Sequence, residues 1–160
     1  MRWLRFAVLI IGTALLQDGL LSNMDYRPDL LVILVVFFAI YCDMNVAIIT
    51  SFTIGFASDL IGTAMGPGVI SFGIIGTLIS SLHQLISIRK IPYQAVAIFI
   101  SGFVIGISVY YLNLLKGGDH QPDIYKIVFA DALFSGIVGP LFFLPMAWWM
   151  GIKTHRFTGR

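Results

Sequence analysis

Four aspartates, Asp18, Asp29, Asp59 and Asp131, stand inside or at the ends of long apolar stretches. A carboxylate so placed is expensive, about 2.5–3.5 kcal/mol at the centre of a membrane helix and less toward the interface. Its presence points to work: relaying protons, pairing with a base to fix helix ends, or lining an outward cavity or docking surface. A relay needs a histidine at matching depth, and His83 is the one histidine within an apolar stretch. If the segments flanking Gly66 form a hairpin, Asp59 lies level with about Gly73. His83 is then ten residues deeper, on the order of 15 Å at 1.5 Å per residue. The relay is thereby excluded, and His83 reads as a hydrogen-bonded packing residue. Pairing remains, of Asp59 with Arg27 or with Lys126, and the sequence does not choose between them. An ion-paired belt and an outward-facing cavity or docking surface both stay open.

Catalytic and cofactor chemistry find no support. HExxH, GxSxG, GxGxxG and Walker-type loops are absent, and no Cys/His spacing suits a metal. The single cysteine, Cys42, excludes an internal disulfide. His120 and His155 fall in a loop and a tail, and no histidine lies at the depth of the Ser and Asp residues, so no triad is expected. The reading is of a non-enzymatic protein with no metal and no cofactor. A net charge of +2 is too small to suggest nucleic acid as a partner.

The elements that position these residues follow from composition. Of 160 residues, 58% are hydrophobic and 11% charged, with a mean hydropathy of +0.92, whereas soluble domains carry about 25% charge. So few charges cannot clothe a surface in water, and the chain reads as an all-α integral membrane protein. Polar, Gly and Pro punctuation delimits six spans in a single domain over 1–160: Trp3–Leu21, Pro28–Cys42, Asn45–Ile61, Val69–Ile88, Pro92–Leu115 and Ile124–Met150. The first has no small-x-small cleavage pattern at its end, and reads as retained. The second and third are short for a core of ~30 Å, so a single tilted helix over Leu30–Ile61, giving five crossings, is the alternative.

Charge discriminates between the two. With six crossings and both termini cytoplasmic, Arg2, Arg5, Arg89, Lys90, Lys153, Arg156 and Arg160 lie inside, against Arg27, Lys116 and Lys126 outside. Five crossings would leave Arg2, Arg5, Lys116 and Lys126 inside and the other six basic residues outside, against the rule. Trp3, Tyr41, Tyr93, Trp148 and Trp149 then form an inner girdle, and Tyr26, Tyr110, Tyr111 and Tyr125 an outer one. Pro28 and Pro92 are expected to start helices, and Pro140 and Pro145 to bend the sixth.

Small residues at helical spacing predict close-packed seams. They are Ser51, Gly55, Ser58, Asp59 and Gly62; Gly73, Gly76, Ser80, His83 and Ser87; Gly102, Gly106 and Asn113; and Asp131, Ser135 and Gly139. The second span, LLVILVVFFAI, is apolar all round and has no polar face to hide.

The order RPDLL from Arg27, then Gly55, Asp59 and Leu60, then a glycine-rich turn with Gly62 and Gly66, resembles the MreD family of bacterial rod shape-determining membrane proteins. Two features depart from the family pattern: the turn follows Asp59 one residue early and carries Pro67, and the Cys42–Asn45 loop holds Asp43 where relatives often carry basic residues. The resemblance implies a non-enzymatic subunit of the elongation machinery in the bacterial cytoplasmic (inner) membrane. It also implies binding to MreC, association with MreB and the elongation-specific glycosyltransferase and transpeptidase, contact with membrane lipid, and a fold similar to the S components of energy-coupling-factor transporters. By position, its characteristic residues are Arg27, Pro28, Asp29, Gly55, Asp59, Gly62 and Gly66, forming a corner just below the outer turn. Gly55 and Gly62 would let the third span approach its neighbours, and Gly66, Pro67 and Gly68 would force the turn. The alternative function is a small-molecule-binding subunit of S-component type, with the acidic layer as its pocket.

Overall fold

The computed structural model describes residues 2–19, 28–62, 66–85, 91–119 and 122–151. Among these, every regular element is a helix: α1 (Arg2–Gly19), α2 (Leu30–Tyr41), α3 (Met44–Ile61), α4 (Pro67–Leu85), α5 (Ile91–Leu115) and α6 (Ile124–Met150). The continuous helix over Leu30–Ile61 does not form. Cys42 and Asp43 are both extended, with φ/ψ of −108°/164° and −65°/152°, so the i→i−4 ladder stops and α3 folds back against α2.

The twelve residues of α2 make the centre of the molecule. Leu30 to Ile40 are all buried, and α2 touches each of the other five helices. Those five close a ring around it in the order α1, α3, α4, α5, α6. A helix apolar on every side has no face to give to water and goes to the middle. At about 18 Å α2 is shorter than a bilayer core, but its ends are walled by protein and its backbone is satisfied within the fold. Phe6 of α1 meets Phe38 edge-on at 4.9 Å, and Phe143 of α6 meets Phe37 at 5.4 Å between ring centroids.

Cross-helix contacts show that the helices alternate in direction. At one end Trp149 Nε1 donates to the Arg5 carbonyl at 3.4 Å and Gln94 Nε2 to Tyr41 Oη at 3.0 Å. At the other end lie Gln17 against Asp29, Asp59 against Gly68, and Tyr111 against Tyr125. Met44–Ile61, Pro92–Leu115 and Ile124–Met150 are each long and apolar enough to cross a membrane. The outward faces are apolar, with Leu4 72%, Leu141 68% and Trp148 83% exposed. A coat of this kind fits hydrocarbon, not water.

Two local expectations change. Pro28 does not start a helix: α2 begins at Leu30 behind the N-cap Asp29. Pro67 and Gly68 already belong to α4, so within the described part of the turn it is Gly66, at φ +113°, that bends the chain. α6 is one continuous helix with Pro140 and Pro145 inside it, as the sequence places them.

Candidate functional site

The acidic residues separate into two sites at the same end of the bundle. The first is the corner between α3 and α4. The last turn of α3 carries Asp59 inward, 7% exposed, beneath the first turn of α4. Its Oδ1 accepts from the Gly68 amide at 2.7 Å, and its Oδ2 from the amides of Gly66 at 2.8 Å and Val69 at 3.0 Å. A helix start leaves four amides without intrahelical partners and carries partial positive charge. The carboxylate of one helix thus caps the next.

The expected ion pair with Lys126 is not formed, since Lys126 Nζ bonds Asp123 Oδ1 at 2.9 Å on the surface. Arg27, the other expected partner, lies outside the described residues. Backbone amides fill the role assigned to a base, because a helix N-terminus beside a buried carboxylate supplies both donors and charge. Asp59 also sits level with the start of α4, not with Gly73, as its bonds to the Gly66, Gly68 and Val69 amides show.

Close approach makes these bonds possible. A Cβ on Gly55 would stand 2.7 Å from the Gly68 carbonyl oxygen and 2.8 Å from Val69 Cα, backbone that cannot give way. Gly68 is equally tight, because a Cβ there would come 2.5 Å from Asp59 Oδ1. Gly62 does not share this role. It is exposed, it ends α3 with its amide on the Ser58 carbonyl, and among the described residues a Cβ there would meet only its own helix, at 3.4 Å. Lys116, just past α5, brings its Nζ to within 3.1 Å of where a Cβ on Gly66 would be. Beside Asp59, the side chains of Phe56, Leu60, Val69 and Ile70 bound an apolar notch of about 320 Å³.

The second site gathers Asp29, Gln17, Ser135 and Asp131 around a cavity of about 160 Å³ between α1, α5 and α6. Asp29 caps its own helix, its Oδ1 accepting from the amides of Leu31 at 3.0 Å and Val32 at 3.2 Å and from Gln17 Nε2 at 3.3 Å. The Asp29 amide donates to Ser135 Oγ at 2.7 Å, and that hydroxyl donates to the Asp131 carbonyl at 2.7 Å. Asp18 is exposed on α1 and belongs to neither site. Gln17 was not among the residues singled out from sequence, although an amide one residue before an intramembrane aspartate was a visible signal.

The packing glycines are distributed by seam. Gly73 abuts the Phe52 ring, and Gly76 abuts Ser51 and Val35, closing α4 onto α3 and α2. Gly106 lies against Val128 of α6; a Cβ on Gly102 would stand 3.5 Å from Ala132 and 3.6 Å from Val32, an ordinary contact distance. Gly136, against the Ala95 carbonyl and Phe99, closes the α5–α6 seam from the other side and was missed in the sequence. The His83 side chain, His120 and His155 lie outside the described residues, among which no group of His, Cys, Asp and Glu is arranged to hold a metal ion.

Compared with known families, residues 1–152 match the one described as rod shape-determining protein MreD. No curated protein and no solved structure matches significantly.

Proposed function

The chain belongs to the MreD family of rod shape-determining proteins, and from that premise we propose that it is a non-enzymatic subunit of the bacterial elongation machinery that binds MreC in the cytoplasmic membrane. The observation that carries this reading is the family match along 1–152. In our reading the chain crosses the membrane six times with both termini in the cytoplasm, as the seven-to-three division of Lys and Arg favours. The two acidic sites then face outward, on the side where the bulk of a bitopic partner would lie. The Asp59-capped turn supplies a fixed ledge, and the apolar notch beside it offers a seat for a partner's side chains. Through MreC the protein would help organise MreB and the glycosyltransferase and transpeptidase of wall synthesis.

A small-molecule-binding role is weaker. The cavity at Asp29 and Asp131 is about 160 Å³, below the roughly 300–1,000 Å³ of ligand pockets. The Asp29, Gln17 and Ser135 side chains are also spent on one another and on backbone.

The test separates docking from folding. Phe56→Ala and Leu60→Ala alter the notch and leave the Asp59 bonds intact, whereas Asp59→Ala removes the bonds. On the proposed reading, all three reduce co-purification of MreC from native membranes and round the cells, and Asp59→Ala alone also lowers thermal stability. Recovery of MreC with Phe56→Ala and Leu60→Ala at the level of the unsubstituted protein overturns the corner as a docking site.

A further inference from the structure

The seam between α4 and α5 is built differently from its neighbours. α3–α4 and α5–α6 are closed by glycines that meet the facing helix, as at Gly73, Gly76, Gly106 and Gly136. Across the α4–α5 seam no described glycine of one helix abuts the other, and these helices pack less extensively than either flanking pair. They splay and leave a groove of about 640 Å³, walled by Ile75, Leu78 and Leu82 on one side and Val96, Ile100 and Val104 on the other. Leu78, Leu82, Val96 and Ile100 are each about half exposed. The floor is made by Ala97 and Ser101, and the Ser101 hydroxyl is spent on the carbonyls of Ala97 at 2.6 Å and Ile98 at 3.0 Å of its own helix. Among the described residues the groove therefore offers hydrocarbon and no free donor, except at its mouth, where Tyr93 is 58% exposed.

We infer that this groove seats one acyl chain of a phospholipid whose headgroup lies at the Tyr93 end. Length selects this occupant. From Tyr93 to Val104 the groove runs about 16 Å along α5, close to half of a hydrocarbon core of ~30 Å. That is the depth of one leaflet, whereas a partner's transmembrane helix would cross both and overrun the groove. A tyrosine at the mouth suits the headgroup boundary, where its ring is amphipathic. A concave seat of this length holds one chain on two sides. In the orientation proposed above, that lipid belongs to the cytoplasmic leaflet. The seat itself follows from the groove and does not depend on the family reading.

The test uses the full-length protein in nanodiscs made with phosphatidylethanolamine carrying a mid-chain diazirine. After irradiation, adducts on 75–82 and 93–104 should exceed those on the outer faces of α1 and α6 several-fold. Val96→Trp, which fills the groove from an exposed wall, should lower groove labelling at least fivefold while α1 and α6 labelling stays constant. If that variant expresses poorly, Ile100→Phe makes the same comparison. Even labelling of all five outer helices, indifferent to Val96→Trp, overturns the seat. So does protein-to-protein crosslinking of the groove in native membranes, which would make it a helix-docking surface for a partner or a second copy.

Discussion

Gly68 donates its amide to Asp59 Oδ1 at 2.7 Å, and a Cβ on Gly68 would fall on that same oxygen. The bond and the missing side chain are one design. The carboxylate reaches the start of α4 because nothing but hydrogen stands on the Cα between them. Its energetic weight is testable. Asp59→Ala leaves three amides without their acceptor. Losing a helix cap costs about 0.5–2 kcal/mol, and stranding buried donors about 1–3 kcal/mol. We expect a loss of about 2–4 kcal/mol in unfolding free energy, measured by denaturant titration in mixed micelles. Asp59→Asn keeps one acceptor oxygen and should lose less. A loss below 0.5 kcal/mol for Asp59→Ala would refute the cap.

Gly55 and Gly62 resemble each other in the sequence, seven residues apart on α3, and should respond in opposite ways. Gly55→Ala drives a Cβ into the α4 backbone and should cost ~2 kcal/mol or more. Gly62→Ala meets only ordinary contact at the exposed end of α3 and should stay within ~0.5 kcal/mol. Thermal unfolding of the two variants in one detergent decides the matter.

A second pair of glycines tests the seams. Gly76→Ala would press on the Ser51 side chain, which is fully buried and cannot swing away. It should destabilise by about 1–3 kcal/mol. Gly102→Ala enters ordinary contact with Ala132 and Val32. There the helix preference for alanine, about 1 kcal/mol, should leave the protein unchanged or more stable. Equal losses from both would mean that the seams accommodate side chains more readily than these distances allow.

Ser135→Ala deprives the Asp29 amide of its acceptor and breaks the link between the start of α2 and α6. Interhelical hydrogen bonds in membranes average about 0.6 kcal/mol and reach about 1.7. A loss in that range is expected, read by the same denaturant titration. A double-mutant cycle with Gln17→Leu should show coupling, because both side chains hold Asp29 in place. Strict additivity would place them in independent structures.

Much of the scaffold was legible. Several helix ends lie at Gly or Asp punctuation, as at the caps Asp29, Gly62 and Gly151, whereas Pro140 and Pro145 sit inside α6 without ending it. The small-residue stripes marked the faces that pack, and Ser51, Gly55, Gly73, Gly76, Gly102, Ser135 and Gly139 are buried as that pattern requires. The site was only half legible. Asp59 could be recognised as a residue with a task, but its partners are amides seven to ten positions further along. Every residue except proline carries a backbone amide whatever its side chain, so such a partner leaves no mark in composition. Arg27 and Lys126, by contrast, carry charge that the sequence displays. Lys116, at the glycine turn, was invisible for a related reason: its position depends on how α5 leans on α4.

Composition and local pattern are enough to mark a helical membrane protein, to place most helix ends within a few residues, and to single out many of the small residues in its seams. Those properties rest on hydrophobicity and local backbone preference, which act within a few residues. Only the tertiary structure decided that α2 sits in the centre and that Asp59 caps α4 instead of pairing with a base. It also decided that the α4–α5 seam stays open. Each depends on which faces meet across the bundle, and many pairings of apolar faces have nearly equal burial energy until the side chains are fitted together.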